Sequence, residues 1–525
     1  MGTKDSSTAV TLDTLPRQSQ DVEIGSVRAV SASDVDPKQG DQGDNPTDQT
    51  NEAELYLAEH SSEWGQYTAR EAKSVLRRID WRIPPLITVT MTLAGVDKIL
   101  ISNATLYGMT EDTGLHGQQY NWVASIFYFG YMAATFPANA MLQRVPVGKA
   151  LGAATIGCGI IAMLMAATTN FAGLLVLRLI MGCFEAPIFP CITTLVGMWY
   201  TKAEQPTRTA ICFAVFSTLI TGTVSYGIGH ANTSVAPWRL LFLTFGPATI
   251  VWGGVLLVFL PDSPLKDGFM KGKSRFIAIS RVKGNSTGIE NKELKWEQVR
   301  EAFSDYKTYA LFLFYLSSNV PLGGLSTFAA QIVSGLGYSS LETTLLGMPT
   351  GMFQTLAGLM VAVPQRWLVN KRCLTSGLCC LVPLVCSIII RKLPESNMTG
   401  KLVSYYFFFF FWGPYATVLS LPMANVSGHT KRLTVNGCIF VAYCMAMIIG
   451  PQLFIEKEAP EYATGYNCIL GFEICAVVSL AVYAFGCMIE NKRRDQREGK
   501  DIQMSTAHQL SDLTDWQKKG FRYIY

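Results

Sequence analysis

Twelve apolar stretches, each about long enough to cross a bilayer, lie between Ile83 and Met488, and a charged break over 262–305 divides them six and six. The clearest is 150–169, twenty consecutive residues without a charge. A helix needs roughly 20 such residues to cross a hydrocarbon core about 30 Å thick. The other stretches fall at 83–104, 122–142, 171–196, 209–229, 240–260, 309–333, 343–363, 374–390, 402–423, 435–454 and 466–488. The spacing predicts an all-α membrane protein of 12 transmembrane helices in two six-helix halves, 82–261 and 306–488.

Composition agrees: 49% of residues are hydrophobic and 16% charged, far from the roughly 25% charged residues of a soluble domain. A net charge of +4 with five histidines carries no nucleic-acid signal. The thirteen cysteines have neither a disulfide-framework nor a zinc-site spacing, and no metal or cofactor is expected. Nucleophile and nucleotide motifs are lacking too, so an enzyme is not expected.

Positive charge in short loops marks the cytoplasmic side of a membrane protein. With the N-terminus inside, the inner segments carry Arg77, Arg78 and Arg82, then Arg144 and Lys149, Lys202 and Arg208, Arg366, Lys371 and Arg372, Lys431 and Arg432, and Lys492 to Arg494. One outer loop runs against the trend with Arg391, Lys392 and Lys401. It also carries Asn397-Met398-Thr399, a glycosylation sequon, and Asn232-Thr233-Ser234 is a second outward one. Residues 1–75 read as a disordered cytoplasmic tail, 262–305 as a solvated cytoplasmic linker and 489–525 as a second cytoplasmic tail.

Several strings narrow the class. The turn Gln143-Arg144-Val145-Pro146-Val147-Gly148-Lys149 resembles the loop between helices two and three of the major facilitator superfamily, without its usual acidic residue. Asp97-Lys98 with Asn103-Ala104, Gln119-Tyr120-Asn121-Trp122, Glu185-Ala186-Pro187 and the string Ile448 to Phe454 resemble the fungal allantoate permease family, the anion:cation symporters. The resemblance covers roughly 81–488. It implies a secondary active transporter in the cell membrane, with the vacuolar membrane second, importing a small organic anion (a vitamin, ureide or carboxylic acid) with protons by alternating access. It also implies a monomer whose partners are that anion, protons and the lipid bilayer. Export of a secondary metabolite, or a non-transporting nutrient sensor, stays open as an alternative.

Ionisable side chains at membrane depth are costly and mark a functional path or a pair. Asp97 lies 14 residues after Ile83, about 21 Å from the inner boundary, and Arg178 lies 7 residues after Phe171, about 10 Å from the outer one. In a core of about 30 Å these depths coincide, which predicts that the two face each other or a substrate. Arg178 and Glu185, seven apart, share one helix face with Gly182. Arginine offers a planar fork of donors that fits a carboxylate. Glu185 is the candidate proton carrier, because a carboxyl that alternates between buried and hydrated surroundings binds and releases a proton in step.

Asp97-Lys98 reads equally well as a structural pair with Lys98 snorkelling outward. The candidate substrate and proton-coupling set is Asp97, Lys98, Arg178, Glu185, Gln354 and Tyr415, with Arg144 and Lys149 as the gating turn. Gln354 and Asn436 read also as interhelical hydrogen-bonding groups, and Glu473 as a rim or packing residue. Tyr415 belongs to an aromatic run from Tyr405 in the tenth stretch, whose Gly413-Pro414 break, like Gly323-Gly324 after Pro321 in the seventh, predicts an interrupted helix.

Overall fold

The computed structural model describes residues 46–142, 144–201, 204–212, 216–231, 233–265, 268–283, 295–366, 368, 370–394, 396–459, 462–499 and 513–525. The sequence-predicted disorder of 1–45 and the sequon residue Asn232 lie outside them. The described chain is helical and fills the twelve places in order. The first half contains α1 (Ala69–Thr105), α2 (Gln119–Leu142), α3 (Val147–Ala166), α4 (Phe171–Glu185 and Ile188–Trp199), α5 (Gln205–Cys212 and Ser217–Gly229) and α6 (Pro237–Phe259). The second contains α7 (Tyr306–Gly335), α8 (Ser340–Gly347 and Thr350–Ala362), α9 (Arg372–Lys392), α10 (Met398–Phe408, continuing to Asn425), α11 (His429–Gln452) and α12 (Ala463–Glu498).

Nine spans among the described residues are long and apolar enough to cross a membrane by length and composition. The other three, α2, α5 and α7, are shorter or more polar on faces turned toward other helices. Ser317, Ser318, Asn319 and Thr327 of α7 are buried, as are Asn121 and Ser125 of α2.

Small residues set the distances between neighbours. Gly182 of α4 sits against the Phe127 carbonyl and Gly130 of α2 against the Leu179 carbonyl, so a Cβ at either position would overlap backbone. Gly323 and Gly324 do the same for α7 against α11, meeting Met447 and Gly450. This corrects the interruption predicted in the seventh span: α7 is one continuous helix through Pro321, and its glycines serve packing. The break predicted at Gly413-Pro414 is present. α10 passes through a 3-10 turn at Phe409–Phe411, and the Phe410 carbonyl, left by Pro414 without its helical donor, accepts from the Cys379 thiol at 3.5 Å.

Among the described residues the apolar cores of the two halves merge on one side. One apolar cluster combines Leu100, Tyr120 and Trp238 of the first half with Phe328, Phe409 and Phe454 of the second. It occupies the side of the molecule away from the chain's tails, called here the far side. On the tail side the cores are separate: one around Ile83, Leu195 and Trp199, the other around Phe314, Leu421 and Tyr483. Hydrogen bonds join the halves toward the far side. The Asn121 amide donates to the carbonyls of Pro451 and Phe454, both at 2.8 Å, and Ser125 donates to Ile448 at 2.9 Å. Tyr120 donates to the Thr327 carbonyl at 2.7 Å, and Ser340 to that of Leu106 at 3.3 Å.

The segments outside the spans are more ordered than their composition predicts. Helix Pro46–Trp64 lays Leu57 on Phe276 and Ile279 of a linker helix, Lys273–Lys283, which corrects the tail boundary at 75. A second linker helix, Trp296–Ser304, packs on the start of α11, so 262–305 holds one docked helix for each half. Residues 513–525, predicted as a cytoplasmic tail, fold back onto the second half. There Asp515 is fully buried, 2.7 Å from the Lys431 ammonium and 3.4 Å from that of Lys307, and it accepts from the Tyr523 hydroxyl at 2.7 Å. The sequence hides this because a polar segment can be held by a few specific ion pairs without an apolar pattern.

Burial alone raises the Asp515 carboxyl, but the ammonium groups of Lys431 and Lys307 outweigh it and hold the group below the ordinary 3.8. A folded value below the unfolded one gives stabilisation that is complete above 3.8 and lost as pH falls through the folded value. Asp515→Ala is expected to cost about 3 kcal/mol, the low end for a broken buried pair because Glu301 and Asp305 still face Lys431. Thermal unfolding of the detergent-purified chain checks this, and the variant should also lose its share of the acid-side destabilisation.

Candidate functional site

Four charged groups meet in the middle of the first half, from α1 and α4. Asp97, Arg178 and Glu185 are each 3% exposed, and Lys98 is half-buried. α4 delivers Arg178 and Glu185 on one face because they are two turns apart, and Gly182 between them lets α2 close in. Glu185 is the last residue of the first α4 segment, and Pro187 opens the break that follows.

The pairing differs from the predicted one. Lys98 turns inward and forms an ion pair with Glu185 at 2.8 Å instead of snorkelling outward or pairing with Asp97. Arg178 reaches α1, but its Nη1 donates at 3.3 Å to the backbone carbonyl of Asp97 rather than to the carboxylate. Among the described residues its Nε has no hydrogen-bond partner, nor does Oε2 of Glu185. The Asp97 carboxylate accepts no hydrogen bond and forms no ion pair among the described residues. Aromatic faces enclose the cations: Lys98 stands 5.9 Å from the Phe127 ring centre and 5.8 Å from that of Tyr131, and Arg178 is 5.7 Å from Phe127.

The second half contributes an aromatic wall. Tyr128 meets Tyr443 edge to face at 6.1 Å, and Tyr131 lies 5.5 Å from Phe440. Tyr415 stacks on Trp412 at 5.1 Å and contacts Tyr443 at 6.4 Å, which puts that predicted residue in the wall. Gln354 stands apart from the charges. It lines a cavity between α1, α5, α7, α8 and α10 together with Asn103, Thr343 and Tyr405.

Arg144 and Lys149 are exposed on the tail side. The acid missing from their turn comes from the end of α6, where Asp262 accepts from the Lys149 backbone N–H at 3.2 Å and lies against Gly148. Sequence reading missed Asp262, although it is the first acidic residue after the sixth span. Asn397 is exposed on the far side, and its Oδ1 caps the first α10 helix by accepting from Gly400 at 3.0 Å. Glu473 is buried and accepts from Ser387 at 2.9 Å, a contact inside the second half rather than at a rim. Asn436 is exposed.

A family model described as Major Facilitator Superfamily matches residues 86–451. The chain belongs to the major facilitator superfamily. Its curated relatives include the MFS-type transporter cnsL of Penicillium expansum, 34% identical over 87% of this chain and 89% of that one. The allantoate permease of Saccharomyces cerevisiae is 31% identical over 91% of this chain and 90% of that one. Among solved structures, the xylose transporter XylE from E. coli matches with a TM-score of 0.58 at 13% identity, covering 76% of this chain and 95% of that one. A multi-pass membrane transporter, not an enzyme, follows from these relatives and the helical fold.

Removing one member of a buried ion pair strands the other, while removing both does not. Lys98→Met and Glu185→Gln are each expected to lower stability and uptake more than the double variant, with a coupling of ~1–3 kcal/mol in thermal unfolding. Strictly additive effects would mean that the pair is not formed.

Proposed function

We propose that this transporter moves a small organic anion together with a proton, from the far side to the tail side, and that Arg178 binds the anion while Asp97 binds the proton. One observation carries the reading: among the described residues a buried guanidinium with an unpartnered Nε stands beside a buried carboxylate that has neither hydrogen-bond donor nor ion pair, while the neighbouring Glu185 is already held through one oxygen by Lys98. Two acids and two bases sum to zero charge. A carboxylate docking on Arg178 makes the site negative, and one proton on Asp97 returns it to zero. A neutral site crosses between the two access states without exposing net charge to the hydrocarbon, which is the costly alternative.

This assignment moves the proton carrier from Glu185, the residue favoured by sequence, to Asp97, because Lys98 already holds Glu185. The aromatic wall around Tyr415 and Tyr443 suits an apolar or planar body. Gln354 in the adjoining cavity suits its neutral polar part. The relative named for allantoate is named for a compound that contains a carboxylate. Arg144, Lys149 and Asp262 would form the tail-side closing turn. The tail side is proposed to face the cytoplasm of a plasma-membrane protein, with Asn397 as a glycan acceptor outside.

Arg178→Ala is expected to reduce anion uptake at least ~100-fold, the loss appropriate to a charged contact worth ~3 kcal/mol. Uptake of radiolabelled allantoate and other small carboxylates into expressing cells at acidic external pH checks it. Asp97→Asn should behave differently: accumulation against a gradient is lost, while exchange of labelled for unlabelled anion persists and no longer depends on pH. Pumping that survives in Asp97→Asn would remove the proton from this site.

A further inference from the structure

The linker helix Trp296–Ser304 is built inside out for a segment in water. Its protein-facing side is polar or small: Gln298 accepts from the Lys431 backbone N–H at 3.2 Å, Glu301 pairs with the Lys431 ammonium at 2.8 Å, and Ala302 is fully buried. Its outward side presents Trp296, 74% exposed, and Phe303, 51% exposed, with Arg300 between them. These three positions, i, i+4 and i+7, form one stripe. Glu297 and Ser304 flank it, also exposed. A helix that hides glutamine and glutamate while displaying tryptophan and phenylalanine is not optimised for solvent on that side.

The stripe is continuous with the outer surface of α7. The Tyr309 hydroxyl donates to the Phe303 carbonyl at 2.8 Å, tying the end of the linker helix to the second turn of the span. From there Tyr306, Tyr309 and Leu313, again at helical spacing, are exposed. In a membrane-spanning helix such an apolar stripe faces lipid. The aromatic residues lie where α7 leaves the core, the level at which tryptophan and tyrosine are enriched.

We propose that helix Trp296–Ser304 lies in the headgroup region of the tail-side leaflet, with Trp296 and Phe303 among the upper acyl chains and Arg300 level with the lipid phosphates. An interfacial helix of this kind sits about 5–10 Å into the headgroup and acyl boundary, and an arginine between its aromatic residues extends its stem over apolar surface toward the phosphates. The partner is the phospholipid of the host membrane. The consequence is mechanical: the ion-pair network of Asp305, Lys431 and Asp515 is fixed at a set depth, and the second half rocks about a lipid-anchored edge. The linker is then an anchor for its half as well as a tether, a role independent of which substrate is carried.

The test uses the full chain in phosphatidylcholine vesicles containing phosphatidylserine. The fluorescence of Trp296 is obtained as the difference between the native chain and Trp296→Phe. Phosphatidylcholine brominated near the top of its acyl chains is expected to quench this component at least about threefold more than aqueous iodide does. Phe303→Trp in the Trp296→Phe background gives a second reporter with the same expected preference, so the result does not hang on one substitution. Stronger quenching by iodide would place the stripe in water and overturn the proposal. Quenching by neither would place it under protein, whether another segment or a second copy of the chain, and would overturn it equally.

Discussion

A membrane interior tolerates charge only when charge is cancelled, and the organisation of the first half depends on that rule. Two acidic and two basic side chains placed by two helices sum to zero formal charge, yet they are not matched one to one. Lys98 and one oxygen of Glu185 are paired, whereas Arg178 holds the Asp97 backbone carbonyl and the Met181 sulfur but no carboxylate, and Asp97 accepts no donor among the described residues. An inert structural cluster would be expected to pair all four, because a buried polar atom without a partner costs about 1–3 kcal/mol. The unmatched pair is what gives a carboxylate and a proton somewhere to go.

The rest of the fold positions and gates that cluster. Gly182 and Gly130 bring α2 and α4 into backbone contact, which fixes the angle at which Arg178 and Glu185 approach α1. The far side is fastened by side chains reaching backbone carbonyls of the other half, chiefly Asn121 and Ser125 of α2 reaching Ile448, Pro451 and Phe454. Contacts of that type are made or lost with little repacking, which suits an interface that must open. On the tail side the two halves have separate cores, each with its own linker helix docked on it.

Much of this was legible in the sequence because the membrane imposes a simple code. The twelve stretches, the equal depths of Asp97 and Arg178 and the shared face of Arg178 and Glu185 follow from length, rise and period, and the break at Gly413-Pro414 from the residues themselves. What was not legible depends on direction rather than position. Asp97 and Lys98 differ by about 100° around the helix, and nothing in the chain says which will turn toward α4. The Asp262 contact to the first turn of α3, and the return of Asp515 to Lys431, join segments 113 and 84 residues apart through single ion or hydrogen bonds. Such contacts leave no periodic trace. The continuity of α7 through Pro321 was missed because its glycines were read as breaks, whereas they serve a close approach to α11.

The central claim is that the loaded site is electrically neutral, one proton accompanying one monovalent anion. The most direct measurement is anion uptake by the reconstituted chain in vesicles where the pH gradient and the membrane potential are clamped separately. The account predicts uptake driven by the pH gradient and insensitive to the potential, with Asp97→Asn abolishing the pH drive. Uptake that follows the potential at zero pH gradient would contradict it.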